Sequence, residues 1–497
     1  MRRSTPSETP NRYWDANLMR WVAGTLQPVG GWQKIVDAVF GGSIPREMVT
    51  WRDLGGKRWA VVGLDNGQIW SYSFELAVAT KIKAVDFPLL EPPGSAFGYG
   101  IGDYGAELYG TPREEAEGVV GQETTLGDWY SFALWGEDLL FLCTNEGSLW
   151  RWSPTTAATP AAAVAGAPLN SIGVLVTPER HAILLGCEGA RRKIKWCSAE
   201  NLSIWDPLPT NTAGGYTLES DGDIRTGITH RDGVLVLTEH DAHLLRYVGV
   251  PYVYSLAKVG EACGPISARC AVSAGPIAAW MGERSFYVWN GQVQPLPCDL
   301  GDFLFSSFNP DAAGRIFGVA LSGFNEMWWF YSDEQNLECN RYIAWNYAEN
   351  WWTLGAMRRT AGDRLHSGDP FVLAATDGRL YVHEQGWLAD TLTRAGQVYA
   401  ETGALNIGEG DQMMSVSGII PDIRGPKDAV CFTFYAANEP DDVERVLGPF
   451  YPLTPRSDGR IDVRFACRSL RMRIVAHRDI DWAVGKTRLE LQPRGAR

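Results

Sequence analysis

Four groups of residues have types and spacing that chemistry can use. The first is in "AFGYGIGDYGAELYGTPREE", residues 96–115, where Gly100-x-Gly102-x-x-Gly105 spells a dinucleotide-binding turn. Such a turn needs a strand before it and a helix after it, so that backbone N–H groups meet the pyrophosphate. Here "LLEPPGSAF" precedes, with two prolines, and "AELYGTPREEAEGVVG" follows, acidic and broken by glycine. The surrounding carboxylates repel phosphate. The glycines read as a chance match in a Gly-rich loop, and no cofactor is expected.

The second group, "TEHDAH", gathers Glu239, His240, Asp241 and His243. It falls at an expected hairpin turn with no further ligand cluster, so it reads as a polar turn and no metal is expected. The third is Cys187 and Cys197, placed to face each other across one hairpin. Nine scattered cysteines with no CxxC pair point to reduced, half-buried thiols. The fourth is aromatic: Trp328-Trp329, Trp351-Trp352, Trp150 and Trp152. Neighbouring residues of a strand point to opposite faces, so one Trp of each pair is core and the other fills a seam. There is no P-loop, G-x-S-x-G elbow, HExxH helix or sialidase-type S-x-D-x-G-x-T-W box. No catalytic residue is assigned, and an enzyme is not expected.

The elements that must position these residues follow from a repeat. Seven segments share an apolar strand, a tight polar turn and a strand ending in aromatics. They begin at Arg58, Asp138, His181, Gly233, Pro276, Glu326 and Pro370. After a first gap of 80 residues the spacing is 43 to 52. Asn66-Gly67 and Asp377-Gly378 are strong hairpin turns. Units of about 40–50 residues, each burying its faces against neighbours, predict an all-β protein, a β-propeller of six to seven blades.

The long first gap predicts a Gly/Tyr-rich insertion over about 88–128, in or after the first blade. Residues 154–168, "PTTAATPAAAVAGAP", read as a low-complexity loop. Past about 390, alternating segments such as "AVCFTFYAA" and "LRMRIVAHR" predict a C-terminal β-sandwich-like domain. The expected domains are therefore 1–50, an N-terminal arm leading into the first blade; 51–389, the propeller; and 390–497, the sandwich. The polar N-terminus has no apolar h-region, and no stretch reaches the length of a membrane span.

Net charge is −13, which is not the footprint of a protein that grips nucleic acid. It is also uneven. Residues 86–128 hold nine acids and one base, whereas 456–497 hold eleven bases and five acids.

Four stretches together resemble the tail-hub or nozzle proteins of tailed bacteriophages, also described as packaged-DNA stabilisation proteins of short-tailed phages. They are residues 11–51, with a Pro-Val-Gly-Gly-Trp turn; 59–73, the first hairpin; 98–113, a Gly/Tyr loop; and 471–497. The resemblance implies a structural virion protein of the tail, assembled in the host cytoplasm as a ring of about six copies. It implies a place below the portal and adaptor ring, fibres or spikes on its side, and a tail tip or plug beneath. Double-stranded DNA passes through without specific binding.

A duct for DNA should not bind it, because phosphate contacts raise affinity strongly. The acidic insertion, with Asp103, Glu107, Glu114, Glu115 and Glu117, is thus a candidate for lining or gating the channel. An exterior loop that docks fibres is the competing reading. Tyr99, Tyr104 and Tyr109, with Arg471 and Arg473 of the basic end, are candidates for subunit contacts. The rival functions are a glycan-binding propeller that uses exposed Trp, and a diverged propeller hydrolase.

Overall fold

The structure, a computed structural model, describes residues 13–88, 130–363, 371–407, 412–426, 428–439, 443–452 and 460–494. Each of the seven repeat units supplies the second and third strands of one four-stranded antiparallel sheet. Arg58–Leu64 and Ile69–Ser73 are the first such pair, and Val372–Ala374 with Arg379–His383 the last. The turn residues act locally. Gly67 has φ +80°, and a Cβ there would meet the Phe87 carbonyl oxygen at 2.3 Å. Only glycine fits.

The first strand of each sheet faces the axis. These strands are Pro45–Arg52, Tyr130–Trp135, Gly173–Val176, Ile224–His230, Val272–Ala274, Phe317–Leu321 and Ala361–Gly362. Each touches the next, and the seventh touches the first, so the ring is closed. Among the described residues this is a seven-bladed propeller. Separate apolar clusters fill the spaces between neighbouring blades. Val61, Leu139 and Phe141 pack between blades one and two, and Ala60, Val372 and Leu380 between blades seven and one.

The seventh blade is closed by the other end of the chain. Its outer strand is Trp32–Val39, paired antiparallel with Arg379–His383 in the register His383↔Trp32 and Arg379↔Val39. The expected arm over 1–50 is therefore strand wherever it is described, apart from its turns. Tyr13–Asn17 pairs with Tyr399–Thr402, and Leu26 in Thr25–Pro28 pairs with Val484. The C-terminal sheets expected over 390–497 are present, but they are incomplete without residues 13–28. Their shared core includes Leu26, Met414, Val416, Phe432, Phe434, Ile474 and Val484. The same core continues into Val319, Trp328 and Leu373 of blades six and seven, which joins the sandwich to the propeller.

The insertion lies between the first and second blades, after Val78–Lys81 and before Tyr130–Trp135. The low-complexity loop also has structure. Its Ala162–Ala163 is the outer strand of the second blade.

Candidate functional site

A cavity of about 530 Å³ opens along the propeller axis. Its walls come from inner strands: Met48 and Val49, Phe132, Val174 and Leu175, Ile224, and Phe317. Phe308, Pro310 and Ala313, from the connection between blades five and six, also line it. The charged lining is balanced, with Glu47, Asp223, Glu283 and Asp363 against Arg191, Arg225, Arg269 and Arg284. The volume suits a small ligand. It does not suit a duplex whose major groove alone is about 12 Å wide.

Arg269 fixes this cavity. It leads into the fifth blade and is buried. Its guanidinium donates to the carbonyls of Arg46, Thr360 (3.2 Å) and Arg315 (3.0 Å), which lie in or beside blades one, seven and six. Burial lowers its pKa, because a charged group loses hydration there. Asp363 is held likewise, accepting from the Thr50 N–H at 2.8 Å and from the Thr50 hydroxyl.

A second polar centre sits where the sandwich meets blades six and seven. Arg20, on the strand Met19–Val22, donates to both carboxylate oxygens of Glu384 at 2.8 and 3.2 Å. It also lies 3.2 Å from Glu326, at the start of the strand Glu326–Tyr331. Glu384 accepts from the Gly30 N–H at 3.0 Å. Arg394 donates to the carbonyls of Val29 (2.9 Å), Gly30 (3.2 Å) and Trp387 (2.8 Å). The Pro-Val-Gly-Gly-Trp turn thus runs between two arginines. A Cβ on Gly31 would meet the Leu388 carbonyl oxygen at 2.4 Å, so the glycine is needed for this approach.

Trp32, next in the chain, stacks on His383 at 5.5 Å, with Arg359 and Arg394 over its ring. Arg359 Nε donates to His383 Nε2 at 3.0 Å. Burial, with two nearby guanidinium groups, holds the His383 pKa well below 6.5. Burial also brings Arg359 down to about 10. Sequence reasoning singled out the turn but not its partners, which are over 350 residues away.

The expected sites fare differently. Asp103, Glu107, Glu114, Glu115, Glu117, Tyr99, Tyr104, Tyr109 and the glycine fingerprint lie outside the described residues. Arg471 is paired with Glu401 and Glu444 of its own chain. Arg473 lies over Tyr399 at 3.8 Å and 3.9 Å from Glu401. Arg460, Arg468 and Arg478 also have acidic partners, so much of the basic end is neutralised internally.

"TEHDAH" forms a turn in which the Asp241 N–H donates to the Thr238 hydroxyl at 2.8 Å. Among the described residues, no group of His, Cys, Asp or Glu is placed to hold a metal. Cys187 and Cys197 are buried and unlinked. Trp328 and Trp329 point to opposite faces, Trp328 stacked on Tyr342 at 4.3 Å and Trp329 against Phe286 at 4.9 Å. Trp351 is half exposed, with Trp21 beside it at 6.5 Å.

No family model matches the chain, and no curated protein matches it. Among solved structures it is similar to the β-propeller domain of Myceliophteria thermophila Cps50 (Swd1). The identity is 9%, the TM-score 0.41, and the match covers 72% of this chain and 99% of that one. No described helix is long and apolar enough to cross a membrane.

Proposed function

We propose that this chain is a structural protein of a phage tail, a nozzle or hub subunit in a ring below the portal and adaptor. The observation that carries the reading is a pairing between chain ends. Two of the stretches that resemble tail-hub proteins, residues 11–51 and 471–497, meet in the same sheets. Separate resemblances at the two termini thereby become one body, fused to a closed propeller. The axial cavity, about 530 Å³, is small beside a stretch of duplex. In this reading DNA runs through the space enclosed by several copies and not along the propeller axis.

The test is assembly. The purified protein is mixed with portal and adaptor and imaged by electron microscopy, with mass measured in parallel. Rings of about six copies that form on the portal–adaptor complex support the reading. A chain that stays single in their presence removes it.

One observation favours a second reading, glycan binding. Half-exposed Trp351 and its neighbour Trp21 offer an aromatic surface of the kind sugars stack on. Glycan-array binding by the single chain, with no ring formation, would select it.

A further inference from the structure

The axial cavity has a charged end and an apolar middle. In each blade the inner strand runs antiparallel to the second, as in Ile224↔Thr238 and Pro45↔Leu64. The start of an inner strand therefore lies at the same end of the axis as the turn between the second and third strands. Charges lining the cavity gather at that end. Glu47 is near the start of Pro45–Arg52, and Asp223 and Arg225 flank the first residue of Ile224–His230. Arg191 lies in the turn of blade three, and Glu283 and Arg284 in that of blade five. Val49, Phe132 and Leu175 come from within inner strands and are only half-buried, so apolar surface is left facing the cavity.

Some of these charges are already used within the chain. Glu47 accepts from the Met48 N–H at 3.2 Å, Arg225 lies 3.5 Å from Glu239, and Arg269 and Asp363 are held as described above. Four are not. Among the described residues, the side chains of Arg191, Asp223, Glu283 and Arg284 make no hydrogen bond and no ion pair. Arg191 and Asp223 are nonetheless neighbours, since the Ile224 N–H donates to the Arg191 carbonyl at 3.2 Å. Glu283 and Arg284 are adjacent in sequence. Unpaired charges of both signs thus face one space. A ligand of one sign is attracted by half of them and repelled by the rest, whereas a ligand carrying both signs is attracted by all four.

We propose that the axial cavity binds a small zwitterion with an apolar body, of the class of a short apolar peptide with free termini. The carboxylate goes to Arg191 and Arg284, the ammonium to Asp223 and Glu283, and the side chains to Val49, Phe132 and Leu175. A space of about 530 Å³ is in the range that small-ligand pockets occupy. The site belongs to the single chain, so it goes beyond the ring proposed above and stands independently of it.

The probe is the dipeptide leucyl-phenylalanine in four forms: free, N-acetylated, C-amidated and capped at both ends. Each is titrated calorimetrically into the full chain at pH 7 and low salt. The free form should bind saturably, one per chain, each cap should weaken binding by about tenfold or more, and the doubly capped form should be weakest. Two paired variants assign the ends. Arg191→Gln with Arg284→Gln should weaken the free and N-acetylated forms, which carry the carboxylate, without weakening the C-amidated one. Asp223→Asn with Glu283→Gln should weaken the free and C-amidated forms without weakening the N-acetylated one. Arg191, Glu283 and Arg284 are exposed and Asp223 is partly so, and both variants should melt as the parent chain does. Equal affinity for all four forms, or no saturable binding of the free dipeptide up to about 10 mM, overturns the proposal. So does a folded variant pair that treats the two singly capped forms alike. If a variant fails to fold, the four forms on the parent chain decide.

Discussion

Arg20 and Glu384 hold each other by two prongs, 2.8 and 3.2 Å long, across 364 residues of chain. The pair joins the sandwich to the blade that closes the propeller, and Arg20 also serves Glu326, whose side chain is 4% exposed. Arg20→Met would leave the buried Glu326 carboxylate and the partly buried Glu384 without their cation. Removing one partner of a buried ion pair typically costs about 3–5 kcal/mol, and that loss is expected in urea unfolding at pH 7. Burial raises the pKa of Glu326, and Arg20 opposes the rise. A raised acid weakens the fold as pH climbs through its folded pKa. The deficit of Arg20→Met should therefore shrink as pH falls toward 4.5, the ordinary value for Glu326. A deficit constant with pH would show that Glu326 does not sense Arg20.

His383 works in the opposite sense. Its pKa is well below 6.5 in the fold, so the unfolded chain takes up a proton that the native chain refuses. Stability is full above 6.5 and falls as pH drops below it, by up to about 1.4 kcal/mol per pH unit. His383→Gln keeps an acceptor for Arg359 and removes the titration. It should flatten the acid limb between pH 6.5 and 5, measured by urea midpoints. His181, His230 and His243 are also lowered by burial, so part of the slope should remain.

The closing strand predicts a sharp response to truncation. Without residues 1–40, Arg379–His383 loses its outer partner Trp32–Val39, and Arg20 goes with it. That chain should be insoluble, or should lack a cooperative melt. Supplying residues 1–44 as a separate chain should restore solubility. A soluble, cooperatively melting truncate would mean that the N-terminal segment is the dispensable arm its polar start suggests.

That contrast marks how far the sequence could be read. The seven hairpins were legible because their signals are local, as at Asn66-Gly67 and Asp377-Gly378. The partner of Trp32–Val39 was not, since its register is set by residues about 350 positions later. Ala162–Ala163 was hidden for another reason. An outer strand of two alanines pairs on one side only and carries no alternation. The axial cavity was also out of reach. Glu47, Asp223 and Asp363 come from different blades, and ring closure alone brings them to one space.

The thiols should be inert. Burial pushes Cys187, Cys197, Cys263 and Cys467 up to about 11, and Cys298 and Cys339 to about 12. The thiolate is the reactive form, so at pH 8 the reactive fraction is on the order of one in a thousand or less. An aromatic disulfide reagent should label less than one thiol per native chain within minutes, and all nine in denaturant. Fast labelling of the native chain would mean that the blades open readily.

Trp351 and Trp352 are adjacent, yet the fold gives them opposite roles. Trp352 is 4% exposed, packs on Phe286 at 4.8 Å, and donates its indole N–H to the Pro297 carbonyl at 2.9 Å. Trp352→Ala should cost about 3–5 kcal/mol through the cavity it leaves. Trp351 is 50% exposed, and Trp351→Ala should cost under about 1 kcal/mol. The pair therefore separates folding from recognition. If the chain binds glycans through this surface, Trp351→Ala should abolish array binding while leaving the urea midpoint nearly unchanged. Binding that survives Trp351→Ala would remove the aromatic surface from that reading.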